Sequence, residues 1–248
     1  MDLVTFALLT LAATLAGFID AIAGGGGLIT LPALLMAGVP PAQAIATNKL
    51  QGTFGVAAAS VNYWRAGEID LPLLKAAILA TAAGAALGAF AVSRIDPAFL
   101  KSFMPWALLA AAIYFAATPY LRDHSPRAAL SPMAFALAAA APVGLYDGFF
   151  GPGAGSLYTL SFLAFGGVAM MTAIARTKVL NFTSNVVSLT VFMLAGQVDF
   201  ATGLPMAAGQ ALGAWIGSHT AMKHGSAIIR PLLVITTSAA AIKLLMSR

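Results

Sequence analysis

The sequence predicts an all-α integral membrane protein made of two homologous helical repeats, with about eight to ten transmembrane segments. Three observations predict this class: the composition, a set of motifs that occurs twice, and the lengths of the apolar segments. Of 248 residues, 60% are hydrophobic and only 8% are charged, and the mean hydropathy is +0.90. Since a soluble domain carries about a quarter charged residues, the composition alone indicates a membrane protein.

The internal repeat is carried by four motifs that recur in the same order, 125 to 129 residues further along the chain. A shared order of glycines, acids and a lysine predicts a duplicated unit, with residues 1–124 as the first membrane repeat and 125–248 as the second. The motifs and their counterparts are Gly17, Asp20, Gly24 and Gly26 with Gly144, Asp147, Gly151 and Gly153; AIATNK (44–49) with AIARTK (173–178); GEID (67–70) with GQVD (196–199); and GAALGA (84–89) with GQALGA (209–214).

Each half contains five apolar segments, and four of the five are long enough to cross a bilayer, which takes about 20 residues. The second segment has only ten to twelve residues, so we expect a half-helix or a re-entrant segment. If it completes a crossing, the repeats are inverted, and if it turns back they are parallel; we favour inverted repeats. The segments are 3–22, 28–37, 42–64, 71–93 and 98–119, then 129–149, 155–166, 169–195, 200–221 and 226–246.

The glycine runs Gly24–Gly27 and Gly151–Gly155 precede the two short segments. Glycine adopts backbone angles closed to other residues, and non-helical backbone within a membrane is found only inside protein or beside a water-filled cavity. We therefore expect a helix break in each half, with a new helix N-terminus that favours an anion. The alternative is close helix packing through small residues, which is our interpretation of Gly84, Gly88, Gly209 and Gly213.

Two lysines, Lys49 and Lys178, fall at matched positions in long apolar segments. A lysine at the centre of a spanning helix costs about 2.5–3.5 kcal/mol, so two of them need a reason. Polar residues recur on the same helical faces and predict that these faces line a cavity. The faces are Asn48, Gln51, Gly55 and Asn62, with Lys49 at the edge, and Lys178, Asn181, Asn185 and Ser188.

The roles of these charges have alternatives. The lysines bind an anion, or each pairs with Asp20 or Asp147 and only fixes helix packing. The two aspartates carry protons, or they orient the glycine loops. Asp70 and Asp199 precede long segments, so we expect them to cap helix N-termini.

At these residues the sequence resembles the TauE/SafE family of sulfite and organosulfonate exporters. The resemblance is carried by both glycine breaks, by ATNKLQG (46–52) and by ARTKVLNFTSN (175–185), and it covers essentially the whole chain. It implies a duplicated carrier of small sulfur-containing anions such as sulfite or sulfoacetate, generally in a prokaryotic plasma membrane. One run has four consecutive glycines and the other is interrupted by Pro152 and Ala154, so the two half-sites need not contribute equally.

These observations together predict a transporter with alternating access around an anion site between the repeats. An anion channel, and a proton- or cation-coupled carrier of other small organic anions centred on the paired aspartates, remain alternatives. The proton-coupling candidates are Asp20 and Asp147. The expected substrate-binding residues are Lys49, Lys178, Asn48, Gln51, Asn181, Asn185, Gly24, Gly25, Gly26, Gly27, Gly151, Gly153 and Gly155.

Other function classes are disfavoured by what the chain lacks. It has no cysteine, and His124, His219 and His224 lie near predicted loops or segment ends, so we expect no enzyme activity, no metal and no cofactor. The net charge of +5 is spread along the chain, which argues against nucleic-acid binding. The expected partners are a small anion and the lipid bilayer, and the sequence leaves proton coupling, transport direction and a homo-oligomer open.

Overall fold

The computed structural model describes residues 2–117 and 129–224, and within these ranges the chain is helical without a β-strand. The all-α class is therefore confirmed. The predicted boundary between the repeats, after residue 124, and the last predicted segment, 226–246, lie outside the described residues. The helices are α1 (Leu3–Ala23), α2 (Gly27–Met36), α3 (Pro41–Arg65), α4 (Leu71–Ser93), α5 (Pro97–Ala117), α6 (Pro132–Phe135), α7 (Ala141–Phe149), α8 (Ala154–Phe165), α9 (Met170–Leu194) and α10 (Phe200–His224), with a π-helical stretch (Ala136–Ala140) joining α6 to α7.

Nine of the ten predicted segments can be compared, and each corresponds to helix with ends that differ by a few residues. The short segments are helices of 10 and 12 residues. Helices α1 and α4 are long and apolar enough to cross a membrane. The segment predicted at 129–149 begins later than expected, because Ser131 caps the helix by accepting a 3.2 Å hydrogen bond from the Ala134 N–H and Pro132 suits the first helical position.

Asp199 and Asp70 differ as helix caps although they occupy matched positions. The Asp199 carboxylate accepts hydrogen bonds from the Thr202 N–H at 3.2 Å and from the Thr202 hydroxyl at 2.6 Å, so it caps α10 as expected. Asp70 occupies the N-cap position of α4, but its side chain makes no capping hydrogen bond. The prediction that these aspartates cap helices is therefore confirmed at Asp199. At Asp70 it is wrong, because the side chain accepts no capping hydrogen bond.

Helix α1 of the first half packs along α10 of the second half rather than along its own neighbours. Thr10 lies against Gly209 near the start of α10, and Phe18 lies against Gly217 further along it, so the two helices run in the same direction. A Cβ atom at Gly209 would lie only 2.6 Å from the Thr14 Oγ1. Glycine is therefore needed for the two backbones to approach.

The equivalent arrangement is found for α7 of the second half, which packs along α4 of the first half. Thr81 lies against Gly144 and Ala85 lies against Gly148, so these helices also share a direction. Close packing is confirmed at all four glycines to which the sequence assigned it, since each lies against backbone of the helix from the other half: Gly84, Gly88, Gly209 and Gly213.

Contacts at the two ends of α3 and α9 fix the directions of the remaining helices. The Asp199 N–H, between α9 and α10, donates to the Thr47 hydroxyl near the start of α3 at 3.3 Å. The Thr172 hydroxyl at the start of α9 donates to Glu68, between α3 and α4, at 3.1 Å. Helices α3 and α9 are therefore antiparallel, and α4 and α10 start at opposite ends of the molecule.

The corresponding helices of the two halves run in opposite directions. Since α10 runs with α3 and α4 runs with α9, the partners α1 and α7 are also opposed. Because α1 and α3 share a direction, α2 runs opposite to both and counts as a separate pass of the chain. Among the described residues, the corresponding helices of the two halves are therefore antiparallel, which is the inverted arrangement that we favoured.

Candidate functional site

Both glycine runs interrupt the helical backbone where breaks were predicted. Helix α1 ends at Ala23 and α2 starts at Gly27, with Gly24 and Gly25 at φ of 81° and 94°. In the second half Gly151 and Gly153 have φ of 97° and 84°. These left-handed conformations are open to glycine and strained for residues with a Cβ atom.

The two breaks meet where the halves come together. The Ser156 hydroxyl at the start of α8 donates to the Ala23 carbonyl at the end of α1, at 3.1 Å. A Cβ atom at Gly24 would lie 2.6 Å from the Ser156 nitrogen, and one at Gly27 would lie 3.2 Å from the Pro152 Cα. The starts of α2 and α8 are thus brought close together.

A small polar cavity lies between these breaks. Its volume is about 30 Å³, enough for about two water molecules. Nine of the predicted binding residues and both predicted proton-coupling residues line it. They are Asn48, Lys49, Asn181, Asn185, Gly25, Gly27, Gly151, Gly153 and Gly155, with Asp20 and Asp147.

Four predicted binding residues do not line the cavity: Lys178, Gln51, Gly24 and Gly26. Gln51 lies behind Asn48 and donates to its Oδ1 at 3.0 Å. Gly26 donates its N–H to the Asp20 Oδ1 at 3.0 Å. Asn62 of the predicted polar face lies elsewhere, where it donates to the Ser218 hydroxyl at 2.8 Å.

Lys49 forms a buried ion pair with Asp147 of the other half. The ammonium lies 2.5 Å from the carboxylate Oδ1, and the two side chains are only 1% and 2% exposed. The Ser184 hydroxyl donates to the second carboxylate oxygen, Oδ2. Both oxygens of Asp147 are thus engaged, while the pair still borders the cavity.

Lys178 is placed differently. Its ammonium donates to the backbone carbonyl of Asp20, in the last turn of α1, and lies 3.6 Å from the Asp20 Oδ2. A cation at the C-terminal end of a helix is favoured by the helix dipole. Lys178 therefore lies behind Asp20, and it is the Asp20 side chain that borders the cavity.

The lysine–aspartate pairing that the sequence left as an alternative is formed by both lysines. Each lysine pairs with the aspartate of the other half, and the formal charges of the four groups cancel. Breaking a buried pair by removing one partner costs about 3–5 kcal/mol, because the remaining charge is left uncompensated. The pairs therefore couple the two halves.

The amides of three asparagines complete the polar lining. The Asn48 Oδ1 accepts from the Thr30 hydroxyl at 2.6 Å and from Gln51, so its Nδ2 remains available to the cavity. The Asn185 Nδ2 lies 3.5 Å from the Asn181 Oδ1. These side chains offer several N–H donors around a small space.

Gln210 is a cavity residue that the sequence analysis missed. It lies on α10, is 4% exposed, and its Oε1 has no hydrogen-bond partner within the described ranges. The signal was present: the second copy of a repeated motif reads GQALGA where the first reads GAALGA, so Gln210 stands in place of Ala85. A single amide in an otherwise apolar stretch is the kind of residue that marks a site.

Comparison with known proteins finds a family model and several relatives. A family model described as sulfite exporter TauE/SafE matches residues 9–244. The chain is 46% identical to a probable membrane transporter protein, ORF9, from Sinorhizobium sp., over 96% of this chain and 92% of that protein. It is 44% identical to a probable membrane transporter protein from Haemophilus influenzae, over 89% and 86% of the two chains.

A third relative is the probable membrane transporter protein YfcA from Escherichia coli K12, which is 42% identical over 94% of this chain and 87% of its own. No solved structure matches. The relatives are described as transporters and not as enzymes, in agreement with the expectation from the sequence. With a family model that spans almost its full length, the chain belongs to the sulfite exporter TauE/SafE family of membrane transporters.

Proposed function

We propose that this transporter carries small sulfur-containing anions, such as sulfite, sulfoacetate or related sulfonates, across a prokaryotic inner membrane that it crosses several times. The observation that carries the proposal is the Lys49 ammonium at the wall of a buried cavity between two broken helices. The relatives' names state transport without a substrate, so the substrate class rests on the chemistry of the site and on the family.

The cavity suits a compact oxyanion because its walls are rich in donors. The N-termini of α2 and α8 are directed to the region of the breaks, and a helix N-terminus favours negative charge. The asparagine amides add neutral N–H donors beside the Lys49 ammonium. An anion with several oxygens accepts hydrogen bonds from many directions, as these groups require.

The pair between Lys49 and Asp147 constrains how an anion is accommodated. While the pair is closed, the Lys49 charge is compensated, so the ammonium becomes available only when the pair opens or the carboxylate takes a proton. The same holds for Asp20 beside Lys178. Proton coupling through Asp20 or Asp147 would therefore supply the charge balance that a bound anion needs.

Binding of an anion also requires the helices around the cavity to move, because the cavity has room for only about two water molecules. Helix α10 packs along both α1 and α3, and α4 packs along both α7 and α9, so we take α1, α3 and α10 as one moving unit and α4, α7 and α9 as the other, although α9 also packs closely on α3. They meet where α3 crosses α9 and at the breaks. We propose that alternating access is the rocking of these units about the cavity, which exposes it to either side in turn.

The test is anion flux into liposomes that contain the purified protein, with a panel of sulfite, sulfoacetate and other sulfonates. Lys49→Met keeps the side-chain length and removes the charge, and we expect it to abolish flux. Lys75→Met on the exposed surface of α4 is the matched control and should transport normally. Undiminished flux in the Lys49 variant would remove this lysine from the mechanism.

A second candidate is a proton- or cation-coupled carrier of other small organic anions, centred on the aspartates. It is favoured by the cancellation of the four buried charges, which leaves no net positive charge to attract an anion. Under this alternative, Lys49→Met with Lys178→Met would retain proton flux while sulfur anions have no effect on it. Counterflow between two pools of labelled sulfite would instead favour the sulfur-anion carrier and exclude a simple channel.

A further inference from the structure

Asp147 is the acid at the cavity whose two oxygens are both engaged. Its Oδ1 accepts from the Lys49 ammonium at 2.5 Å, and its Oδ2 accepts from the Ser184 hydroxyl. The side chain is only 2% exposed. A proton on Asp147 would leave the Lys49 ammonium without a counter-charge in contact, since no other acid in the described part of the chain pairs with it. Asp147 is thus placed as a fixed counter-ion.

Asp20, the matched acid of the first half, keeps one oxygen without a hydrogen bond. Its Oδ1 accepts from the Gly26 N–H at 3.0 Å, whereas its Oδ2 lies 3.6 Å from the Lys178 ammonium, beyond hydrogen-bond distance. The side chain is 12% exposed and borders the cavity, and Oδ2 is not among the fully buried atoms that lack a partner. This oxygen is therefore accessible from the cavity.

A proton on the Asp20 Oδ2 would break no hydrogen bond of the described residues. The Oδ1 would still accept from Gly26, as the carbonyl oxygen of a neutral carboxyl group. Lys178 would still donate to the backbone carbonyl of Asp20, at the end of a helix whose dipole favours a cation. The structure therefore accommodates a neutral Asp20 more easily than a neutral Asp147.

The charges around the cavity give a proton on Asp20 a purpose. Lys49, Lys178, Asp20 and Asp147 sum to zero when all four are ionised, so a singly charged anion would leave one buried negative charge uncompensated. A proton on Asp20 restores neutrality. Negative charge in the cavity also disfavours the ionised carboxylate, so anion and proton each favour the binding of the other.

The uncharged titratable groups near Asp20 are placed less well to take this proton. Tyr63 on α3 already donates its hydroxyl to the Ala21 carbonyl at 2.9 Å. Tyr158 on α8 and His219 on α10 do not line the cavity, and His219 is exposed. Helix α2 has no titratable side chain. Asp20 is thus the group that can exchange a proton with the cavity and keep its contacts.

We propose that Asp20 carries the coupling proton of this transporter, one for each singly charged anion. A proton from water on the open side forms an O–H bond at the Asp20 Oδ2 as the anion enters. On the other side this bond breaks, and the proton returns to water with the anion. Asp147 stays ionised beside Lys49. The inference rests on the proposed function and adds its coupling ion and its stoichiometry, which makes transport electroneutral.

The first test uses the wild type in liposomes. The probes are methanesulfonate and 2-hydroxyethanesulfonate, which keep a single negative charge throughout the working pH range. A gradient of one pH unit, acidic outside, should accumulate either anion about tenfold inside. An entrapped pH indicator should record one proton for each anion, and an imposed membrane potential at equal pH should drive no accumulation. Anion transport without proton movement would overturn the proposal.

The second test removes the proton site. Asp20→Asn copies the neutral carboxyl group, so accumulation under the same gradient should fall from about tenfold to about one. Exchange of labelled for unlabelled anion at equal pH should continue and lose its dependence on pH, which a merely structural role does not predict. Asp70→Asn is the matched control, since Asp70 is exposed and lies outside the cavity, and it should accumulate the anion as the wild type does.

A folded Asp20→Asn protein that still accumulates anion under the gradient would overturn the proposal, and so would one that loses exchange as well. Thermal unfolding in detergent checks the fold. If this variant does not fold, infrared difference spectra decide: adding the anion to wild type should produce the band of a protonated carboxyl group, and Asp20→Glu should shift it. A missing or unshifted band would overturn the assignment.

Failure of the wild type to transport any anion of the panel would instead overturn the proposed function. Transport that proceeds without protons would leave that function standing and remove only the role of Asp20. The two failures are therefore distinguishable.

Discussion

The Lys49 ammonium of the first half lies 2.5 Å from the Asp147 carboxylate of the second half, and Lys178 approaches Asp20 in the reverse sense. Matched charges therefore pair across the molecule rather than within each half. The two pairs differ in detail, because Asp147 uses both oxygens for Lys49 and Ser184, whereas Lys178 binds mainly the backbone carbonyl of Asp20.

Removing one partner of the tighter pair should cost more than removing both. Asp147→Asn leaves the Lys49 ammonium buried without a counter-charge, and we expect a loss of about 3–5 kcal/mol in the free energy of unfolding. The double variant Lys49→Met with Asp147→Leu should recover most of it. Unfolding in detergent with a double-mutant cycle measures the coupling, and additive losses would contradict the ion pair.

Ser184 should contribute more to stability than Ser188, although both are fully buried on α9. The Ser184 hydroxyl donates to the Asp147 carboxylate, so Ser184→Ala should cost about 1.5–3 kcal/mol. The Ser188 hydroxyl has no partner among the described residues, so Ser188→Ala should be nearly neutral. Equal effects on the unfolding free energy would show that the hydrogen bond does not form.

A side chain at Gly209 should separate α1 from α10. Gly209→Val would place its Cβ atom 2.6 Å from the Thr14 Oγ1, and we expect a cost of at least about 1–3 kcal/mol from overpacking. Ala208→Val on the exposed side of the same helix adds the same β-branched residue and is the control. Similar thermal unfolding of the two variants would argue against the close approach.

The matched aspartates Asp199 and Asp70 should respond differently to alanine. Asp199→Ala removes two hydrogen bonds at the start of α10 and should lower stability by about 0.5–2 kcal/mol. Asp70→Ala removes a side chain that makes no capping bond, so we expect a smaller change. Hydrogen exchange in the first turns of α10 and α4 would locate each effect, and greater fraying of α4 would contradict the assignment.

Disulfide cross-links can test which helices move together, because the chain contains no cysteine. A Glu68→Cys and Thr172→Cys pair joins the loop that leads into α4 to the start of α9, both in one proposed unit or next to it, and should leave anion flux intact. An Ala23→Cys and Ser156→Cys pair joins the two breaks and should block flux until it is reduced. Flux that survives the second cross-link would exclude movement at the breaks.

Much of the fold follows from local signals in the sequence. The apolar lengths and the left-handed glycines determine where helices begin and break, so the boundaries near Gly24 and Gly153 could be predicted. The direction of the repeats could not be derived from charge. It depends on long-range contacts such as Thr47 with Asp199 and Glu68 with Thr172.

The sequence predicted most of the residues that form the site, but not which of them pair with one another. Helical spacing brought Asn181 and Asn185 to one face, and the repeat identified both lysines. Which aspartate each lysine meets depends on how the halves cross, and this separates Lys49, at the cavity wall, from Lys178, behind Asp20. Gln210 was missed because Ala85 occupies the matched position in the first half, so the repeat does not single it out.

The exchange of α1 and α7 between the halves has a consequence for biogenesis. Helix α1 ends at Ala23, whereas α10, which covers its Thr14 and Phe18 surface, begins only at Phe200, so α1 is made long before its partner. Until then that surface faces lipid or an insertion chaperone. A chain that stops before α10 should therefore leave α1 loosely held and open to intramembrane proteolysis, which makes the late arrival of α10 the step that secures the first helix.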